Sequence, residues 1–413
     1  MYISRLVLDH YRSWETCILD LGPGVTILKG RNGLGKTNLV EAVEVLSTGT
    51  SHRVSSSLPL IQRGQAKAVI RARVEEGGTS TSYELGIPAR GANRARVDGG
   101  PSLYMRDILG RIPSVTFSPE DQRMVSGEPA VRRGVLDQAA VQLNPSFYQV
   151  QQRFLHVARQ RSALLKQMSK EMPGASGPSH QAALSGLEVW TGQFIQTGVE
   201  LTRARRELIA RLNEPFGRLY GQLAGGPQEA GLVYEPSFEE VNQAEGSPEE
   251  AETEISRHFQ RIFAGEVARG QNLIGPQRDD FTFMLNGMPA REFASNGEMW
   301  TLALAFRLAV FSLLEEGEGT RPIVILDDVF AQLDQTRRSQ ILEFARRQEQ
   351  VLITVAADSD IPPVAGARQI DVAALLHDSV PLPSSDPSSD DRIGRALKDL
   401  RGSRQSGGEG GRS

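Results

Sequence analysis

Runs of consecutive apolar residues mark three places where a strand is predicted to be buried on both faces. Val25–Leu28, Ile323–Leu326 and Val351–Val355 consist mainly of β-branched or aliphatic residues. This composition is typical of strands in a parallel sheet covered by helices. Shorter β-rich runs predict five more strands, at Ile3–His10, Trp14–Asp20, Ala68–Val74, Ser82–Ile87 and Val115–Phe117. The pattern therefore predicts an α/β protein with mixed sheets.

Apolar residues at helical spacing predict a helix over Asn38–Leu46, directly after the first buried strand. Polar, Arg- and Gln-rich helices are predicted over Gln149–Met172 and Gln181–Asn213. Another helix is predicted to begin after Ser247, since Pro248 and Glu250 complete a capping signal. No heptad pattern is sustained, so these segments predict a mainly helical lobe and no long coiled coil.

Composition narrows the class of protein. The chain has 413 residues, of which 39% are hydrophobic and 23% charged, as expected for a soluble protein with several domains. A single cysteine, Cys17, excludes an internal disulfide framework and favours a reducing cytoplasm. The N-terminal segment does not have the pattern of a signal peptide. The longest apolar stretch, Thr301–Leu314, is too short to span a bilayer and contains Arg307, so no membrane partner is expected.

The sequence GRNGLGKTN fits G-x-x-x-x-G-K-[ST] and lies between a predicted strand and a predicted helix. Backbone N–H groups of such a loop converge on phosphate oxygens, and the helix N-terminus adds positive charge. Lys36 is expected to reach the β- and γ-phosphates, and the Thr37 hydroxyl to bind Mg²⁺. The alternative is a glycine-rich turn with a surface lysine. The predicted nucleotide contacts are Gly30, Arg31, Asn32, Gly33, Leu34, Gly35, Lys36, Thr37 and Asn38.

Two carboxylates follow the apolar strand Ile323–Leu326. Ligands of open α/β sheets bind at the carboxyl ends of the strands. Asp327 is therefore predicted to hold Mg²⁺, directly or through water, and Asp328 to orient the attacking water. The alternative is that both carboxylates simply cap a following helix.

The turn Ser295-Asn296-Gly297-Glu298 precedes the apolar helix that contains Thr301–Leu314. A serine at the cap and free N–H groups at a helix N-terminus suit an anion. The alternative is an ordinary capping box on a core helix.

Taken together, these motifs resemble the RecF family, a branch of the ABC-type ATPases related to the heads of SMC proteins. The resemblance extends from Met1 to about Asp371 and includes a hairpin at Asn286-Gly287. Six further stretches occur in RecF order: GKTNLVEAVEVLSTGTSHR, FSPEDQRMV, RRGVLDQ, GPQRDDF, TLALAFRLA and LDDVFAQLD.

The resemblance implies a two-lobed ATPase that forms a homodimer on binding ATP. Ser295–Glu298 would be the signature motif, which acts on the γ-phosphate bound at the partner's phosphate loop, with Ser295 in a catalytic role. Ala331–Asp334 would be the D-loop at the same interface, where Asp334 contacts the nucleotide. Asp328 is the family's usual residue and implies slow hydrolysis. Implied partners are double-stranded DNA, single-strand/double-strand junctions, RecR and RecO.

Three departures from the family pattern concern four residues. Asn296 replaces a usual glutamine of the signature, and Met299-Trp300 stands where Gln-Arg is common. Gln277 stands where histidine is usual. These changes bear on turnover and on the strength of the ATP-bound dimer rather than on the fold.

The expected domain order is residues 1–130 and 271–373 as two parts of ATPase lobe I, 131–270 as helical lobe II, and 374–413 as a disordered low-complexity tail. The net charge of −4 does not indicate a DNA-binding chain, yet phosphate binding needs only a local basic face. Arg94 and Arg96 are predicted to lie on a loop. The candidate DNA contacts are Arg53, Arg94, Arg96, Arg153, Arg159, Arg161, Arg203, Arg205 and Arg206.

Two other functions are compatible with the motifs. A scaffold that binds ATP and DNA with little turnover is suggested by Asn296 and Trp300. A transporter-type ATPase subunit would need a surface for a membrane partner, and the polar helices argue against it.

Overall fold

The computed structural model describes residues 1–54, 56–170, 178–243, 247–318, 321–331, 333–357 and 360–375 of the chain. The tail predicted at 374–413 therefore lies almost entirely outside the described residues. The strands are β1 Tyr2–Tyr11, β2 Trp14–Asp20, β3 Gly24–Lys29, β4 Lys67–Glu76, β5 Thr79–Pro88, β6 Arg94–Val97, β7 Leu103–Tyr104, β8 Ser114–Phe117, β9 Ala230–Glu235, β10 Asp280–Leu285, β11 Met288–Pro289, β12 Ile323–Asp327, β13 Gln350–Val355 and β14 Arg368–Asp371. The helices are α1 Lys36–Thr48, α2 Arg123–Ser126, α3 Pro129–Leu143, α4 Ser146–Met168, α5 Pro178–Ala224, α6 Glu240–Gln243, α7 Pro248–Arg269, α8 Ala290–Phe293, α9 Asn296–Glu318, α10 Gln335–Arg346 and α11 Val372–Leu375.

A parallel sheet with strand order β14-β3-β13-β12-β8 forms the centre of the ATPase part. Its three inner strands are the three predicted from continuous apolar runs. All five residues of β12 and all six of β13 are buried. Because parallel strands bring their carboxyl ends to one edge, the segments after β3, β12 and β13 meet there.

An antiparallel sheet with strand order β2-β1-β4-β5-β6-β7 covers the N-terminal part. The four strands predicted here are present, and Gly77 and Gly78 form the turn of the β4–β5 hairpin with φ of 56° and 83°. The loop predicted for Arg94 and Arg96 is wrong. Both residues lie in β6, which pairs with β5 and β7 and so takes an extended conformation despite its short length.

The helical part consists mainly of α4, α5 and α7, as predicted. Helix α5 continues past its predicted end at Asn213 and contains Pro215. The Asn213 amide exchanges hydrogen bonds with the backbone of Leu232 in β9, at 3.0 Å each way. Packing against β9 and α9 thus keeps the helix continuous where proline alone would favour an end. Strand β9 also pairs with β10, so a small sheet joins segments 131–270 and 271–373.

Helix α9 is long and apolar enough to pass a length-and-composition test for a membrane span, but 72% of that window is buried within the protein. It is the central core helix. Arg307, the charged residue within its apolar stretch Thr301–Leu314, pairs with Asp121 at 2.7 Å.

Candidate nucleotide-binding site

The loop between β3 and α1 has the backbone that a phosphate-binding loop requires. Gly33 and Gly35 have φ of 85° and 89°, a region that favours glycine. A Cβ at Gly35 would lie 2.7 Å from both the Ser13 hydroxyl and the Trp14 ring nitrogen. The Trp14 indole also donates to the Gly35 carbonyl at 3.2 Å. The β1–β2 turn therefore packs so closely against the loop that only glycine fits at position 35.

Lys36 begins α1 and folds back over the loop. Its ammonium donates to the carbonyl oxygens of Gly30 at 2.6 Å and Arg31 at 3.1 Å. Burial lowers the pKa of Lys36, while the negative charges of Asp328 and Asp327 act in the opposite direction. A partly desolvated cation beside two carboxylates suits phosphate binding better than the surface-lysine alternative does.

Thr37 and Asp327 meet although 290 positions separate them in the chain. The Thr37 hydroxyl donates to Asp327 Oδ1 at 3.0 Å, and the Thr354 hydroxyl donates to the same oxygen at 2.6 Å. Asp327 is 4% exposed; burial raises its pKa, against the effect of the two hydroxyls. A hydroxyl and one carboxylate fit Mg²⁺, which takes few protein ligands and completes its shell with phosphates and water. The described residues contain no cluster of three or more His, Cys, Asp or Glu ligands.

Asp328 takes a left-handed conformation with φ of 55°, which is strained for a residue other than glycine. Its backbone N–H donates to the Thr354 hydroxyl at 3.0 Å. One threonine on β13 therefore holds the Asp327 carboxylate and the Asp328 backbone. Thr354 was not recognised in the sequence, although a polar residue within a buried parallel strand was a usable signal.

A buried carboxylate in α1 accepts hydrogen bonds from residues around the phosphate loop. Glu41 in α1, 1% exposed, accepts from Arg12 at 2.8 Å, from Ser51 at 2.5 Å and from Arg53 at 3.2 Å. Arg53 also donates to Asn38 at 3.0 Å. The structure thus places Arg53, a candidate DNA contact, beside the phosphate loop.

The Ser295–Glu298 turn caps α9 at the surface. The backbone N–H and hydroxyl of Ser295 each donate to the Glu298 carboxylate at 2.8 Å, and these bonds lower the pKa of Glu298. Gln122 donates to Asn296 at 3.3 Å. Among the described residues, no hydrogen bond joins this turn to Gly30–Asn38 of the same chain.

Arg337 in α10 links the Ser295–Glu298 turn to Asp334, the last residue of the predicted D-loop. Its guanidinium donates to the Gly297 carbonyl at 2.9 Å and to the Thr301 hydroxyl at 2.9 Å, and it pairs with Asp334. A Cβ at position 297 would lie 3.3 Å from this guanidinium, which explains the glycine. Asp334 caps α10 by accepting from the Arg337 N–H at 2.9 Å. Gln332 of the D-loop lies outside the described residues.

A protein-family model, the RecF/RecN/SMC N terminal domain, matches residues 2–363. A protein of Bifidobacterium adolescentis named DNA replication and repair protein RecF is 64% identical over 375 residues, covering 91% of this chain and 92% of that protein. The chain belongs to the RecF family. A solved structure of the recombination mediator protein RecF with ATPrS superposes with a TM-score of 0.78 at 24% identity, covering 90% of this chain and 96% of the other. A second, RecF with ATP, has a TM-score of 0.75 at 25% identity and covers 87% and 93%. The predicted ABC-type head with a helical insert is confirmed.

The positions that depart from the RecF pattern lie in different environments. Trp300 is half-buried and packs against the core, so it presents no cation to a ligand. Gln277 donates to the Ile274 carbonyl at 2.9 Å, while its side-chain oxygen is buried without a hydrogen-bond partner.

Two candidate DNA contacts do not fit that role. Arg161 is 1% exposed and forms a two-pronged pair with Glu266 at 2.6 and 3.0 Å. Arg205 is 4% exposed and pairs with Asp137 at 2.8 Å. A DNA contact by either is wrong, because neither reaches the surface and each charge is neutralised inside the helical part. The sequence alone does not show whether an arginine in a polar helix faces solvent or pairs with a buried acid.

The remaining arginines of the helical part are more accessible. Arg153 is exposed and pairs with Glu200 at 2.9 Å, and Arg159 is exposed and donates to the Leu155 carbonyl. Arg203 and Arg206 are half-buried, and Arg206 donates to the Val241 carbonyl at 2.9 Å.

Proposed function

We propose that this protein is an ATP-dependent DNA-binding recombination mediator. It would dimerise on ATP at gapped or junction DNA, help load the recombinase in recombinational repair, and be reset by slow hydrolysis. The observation that carries the proposal is the meeting of Thr37 and Asp327 at 3.0 Å beside Lys36. Support also comes from relatives named DNA replication and repair protein RecF and from solved RecF structures described with ATP and within the RecFOR pathway.

Each chain would supply half of two identical sites. The loop N–H groups and Lys36 would bind the phosphates, and Thr37 and Asp327 would hold Mg²⁺, which neutralises phosphate charge during hydrolysis. Asp328 would orient the attacking water. Ser295–Glu298 from the second chain would close the site. Because ATP then contacts both chains only in the dimer, ATP binding favours dimerisation.

Sedimentation with and without ATP·Mg²⁺ and a gapped duplex tests this proposal. The expected result is a monomer without nucleotide, a dimer with ATP·Mg²⁺ and a larger complex with the gapped DNA. Lys36→Ala should remain monomeric under all conditions. If the native chain were retained on DNA equally with and without nucleotide, the proposal would be contradicted.

The other candidate is the ATP- and DNA-binding scaffold, which the half-buried Trp300 favours because no cation follows the signature turn. Phosphate release that is abolished by Lys36→Ala would exclude it. A transporter subunit has no supporting observation. The proposal includes a cytoplasmic location and association with RecR and RecO. It also includes the division of the chain into ATPase lobe I and helical lobe II.

A further inference from the structure

The antiparallel sheet turns one face to the core and the other to solvent. Successive side chains of a strand alternate between faces, so the outward residues of neighbouring strands form rows. Cross-strand register places Arg5 opposite Arg73, and Arg71 and Arg96 on either side of Glu84. Five cations of β4 and β6 form what we term the basic sheet face: Lys67, Arg71, Arg73, Arg94 and Arg96.

Four of these five cations form no ion pair within the described residues, although the whole chain carries −4. Glu84 pairs with Arg71 at 2.6 Å. A groove of about 260 Å³ is lined by Arg5, Arg71, Arg73 and Arg96, and in the described part of the chain Glu84 is the one carboxylate in that lining. Arg5 lies opposite Arg73 but is neutralised by Asp20 at 2.5 Å, so Arg73 is the cation of this pair without an ion-pair partner among the described residues. An anion over the groove would neutralise Arg73 and Arg96.

The same face ends in an exposed aromatic ring. Tyr104 in β7 is the cross-strand partner of Arg94 and is 45% exposed. The guanidinium carbons of Arg94 and Arg106 lie 3.9 and 4.6 Å from the centre of its ring. Each exposed cation–π contact stabilises a protein by only about 0.5–1 kcal/mol, so a base can displace one guanidinium from the ring at small cost. Aromatic rings among arginines are the usual platform for unpaired bases.

We propose that the basic sheet face binds the phosphate backbone of duplex DNA, and that Tyr104 stacks on an unpaired base where the duplex ends. The proposal rests on the DNA-binding function proposed above and assigns that function a surface. Arginine favours this ligand because its planar fork binds phosphate oxygens in pairs. Contacts with phosphates carry no sequence information, so this face would recognise DNA structure rather than sequence.

The test compares the triple variant R73Q/R94Q/R96Q with the charge-matched control R218Q/R257Q/R347Q. The control arginines have side chains that are 49%, 63% and 73% exposed and lie on helical segments far along the chain from β4 and β6. Fluorescence anisotropy with ATP·Mg²⁺ would measure binding to a blunt duplex and to a duplex with a single-stranded tail over a series of salt concentrations. Because all substituted side chains are exposed, both variants should keep the native melting temperature and ATP-driven sedimentation.

The triple variant should bind both DNAs at least about tenfold more weakly at low salt. Its slope of log affinity against log salt should fall by about 2 to 3, since each lost phosphate contact removes about 0.9. The control should keep the native slope. Tyr104→Leu should weaken binding to the tailed duplex by about fivefold or more and leave the blunt duplex unaffected.

Two results would overturn the proposal. If the triple variant kept the native affinity and slope while the native protein bound DNA, the basic sheet face would not be the surface. If Tyr104→Leu left the tailed duplex unaffected or weakened both DNAs equally, the stacking role would be wrong. Failure of the native protein to bind either DNA would instead defeat the proposed function, so the two failures are distinguishable.

Discussion

The phosphate-loop side of the site is built inside the core, whereas the Ser295–Glu298 turn is built at the surface. Asp327 is 4% exposed and is positioned by hydroxyls from two other elements, on Thr37 and Thr354. Burial raises the pKa of Asp327. Glu298 is positioned by Ser295, three residues away, whose N–H and hydroxyl lower its pKa.

The difference shows which half of the site is fully formed within a single chain. Three segments distant in sequence hold the buried half together, so its geometry is set by the fold of one chain. Local capping and Arg337 hold the exposed half, and among the described residues no hydrogen bond joins it to Gly30–Asn38. This asymmetry is expected of a site that is completed by a second copy.

Asp327→Asn should have the largest effect on the buried half. Loss of the carboxylate removes the charge that would hold Mg²⁺, so ATP turnover should fall by about 10³-fold. The fold should not suffer, because burial already disfavours the ionised form, as the raised pKa shows. The free energy of unfolding, measured in urea, should change by less than about 1 kcal/mol.

Glu41→Gln is the matched control for this prediction. Glu41 is equally buried but its charge is balanced by Arg12 and Arg53, so its loss should destabilise the protein by about 3 kcal/mol or more. Equal destabilisation by both substitutions would show that Asp327 is a structural acid rather than a metal ligand.

Sequence patterns predicted the contiguous parts of the site and left out the parts made by packing. Lys36 and Thr37 belong to a nine-residue motif, and Asp327 follows an unmistakably apolar strand, so each could be placed from its neighbours. Thr354 and Trp14 contact site residues that are distant in sequence, and those contacts form only when the strands pack together. Arg161 and Arg205 illustrate the same limit, since the acids that bury them lie 105 and 68 positions away.

Mixing two inactive variants tests whether the two halves come from different chains. Lys36→Ala breaks the buried half and Ser295→Ala the exposed half, and each should lower phosphate release by about a hundredfold. A mixed dimer has one site with both halves intact. Equal mixing should therefore raise phosphate release well above that of either variant alone, because each mixed dimer has one working site.

The mixture distinguishes a composite site from a site within one chain. If the mixture showed only the average of the two variants, the halves would not be shared between chains. Lys36→Ala mixed with Asp327→Asn is the control, since both changes fall on the buried half. That mixture should recover no activity in any pairing.

Arg337→Gln should have the smallest effect and bears on how the exposed half is held. The substitution removes the hydrogen bonds to Gly297 and Thr301 and the ion pair with Asp334, which loosens the signature turn relative to α10. One hydrogen bond contributes about 1–1.5 kcal/mol, so ATP-driven dimerisation should weaken about tenfold, while ATP affinity of the monomer stays native. Arg338→Gln is the control, because within the described residues the Arg338 side chain donates only to the Leu333 carbonyl, at 3.0 Å, and its loss should leave dimerisation unchanged. Sedimentation at several ATP concentrations separates dimerisation from nucleotide binding. A fall in melting temperature with an unchanged dimer constant would limit Arg337 to a stabilising role.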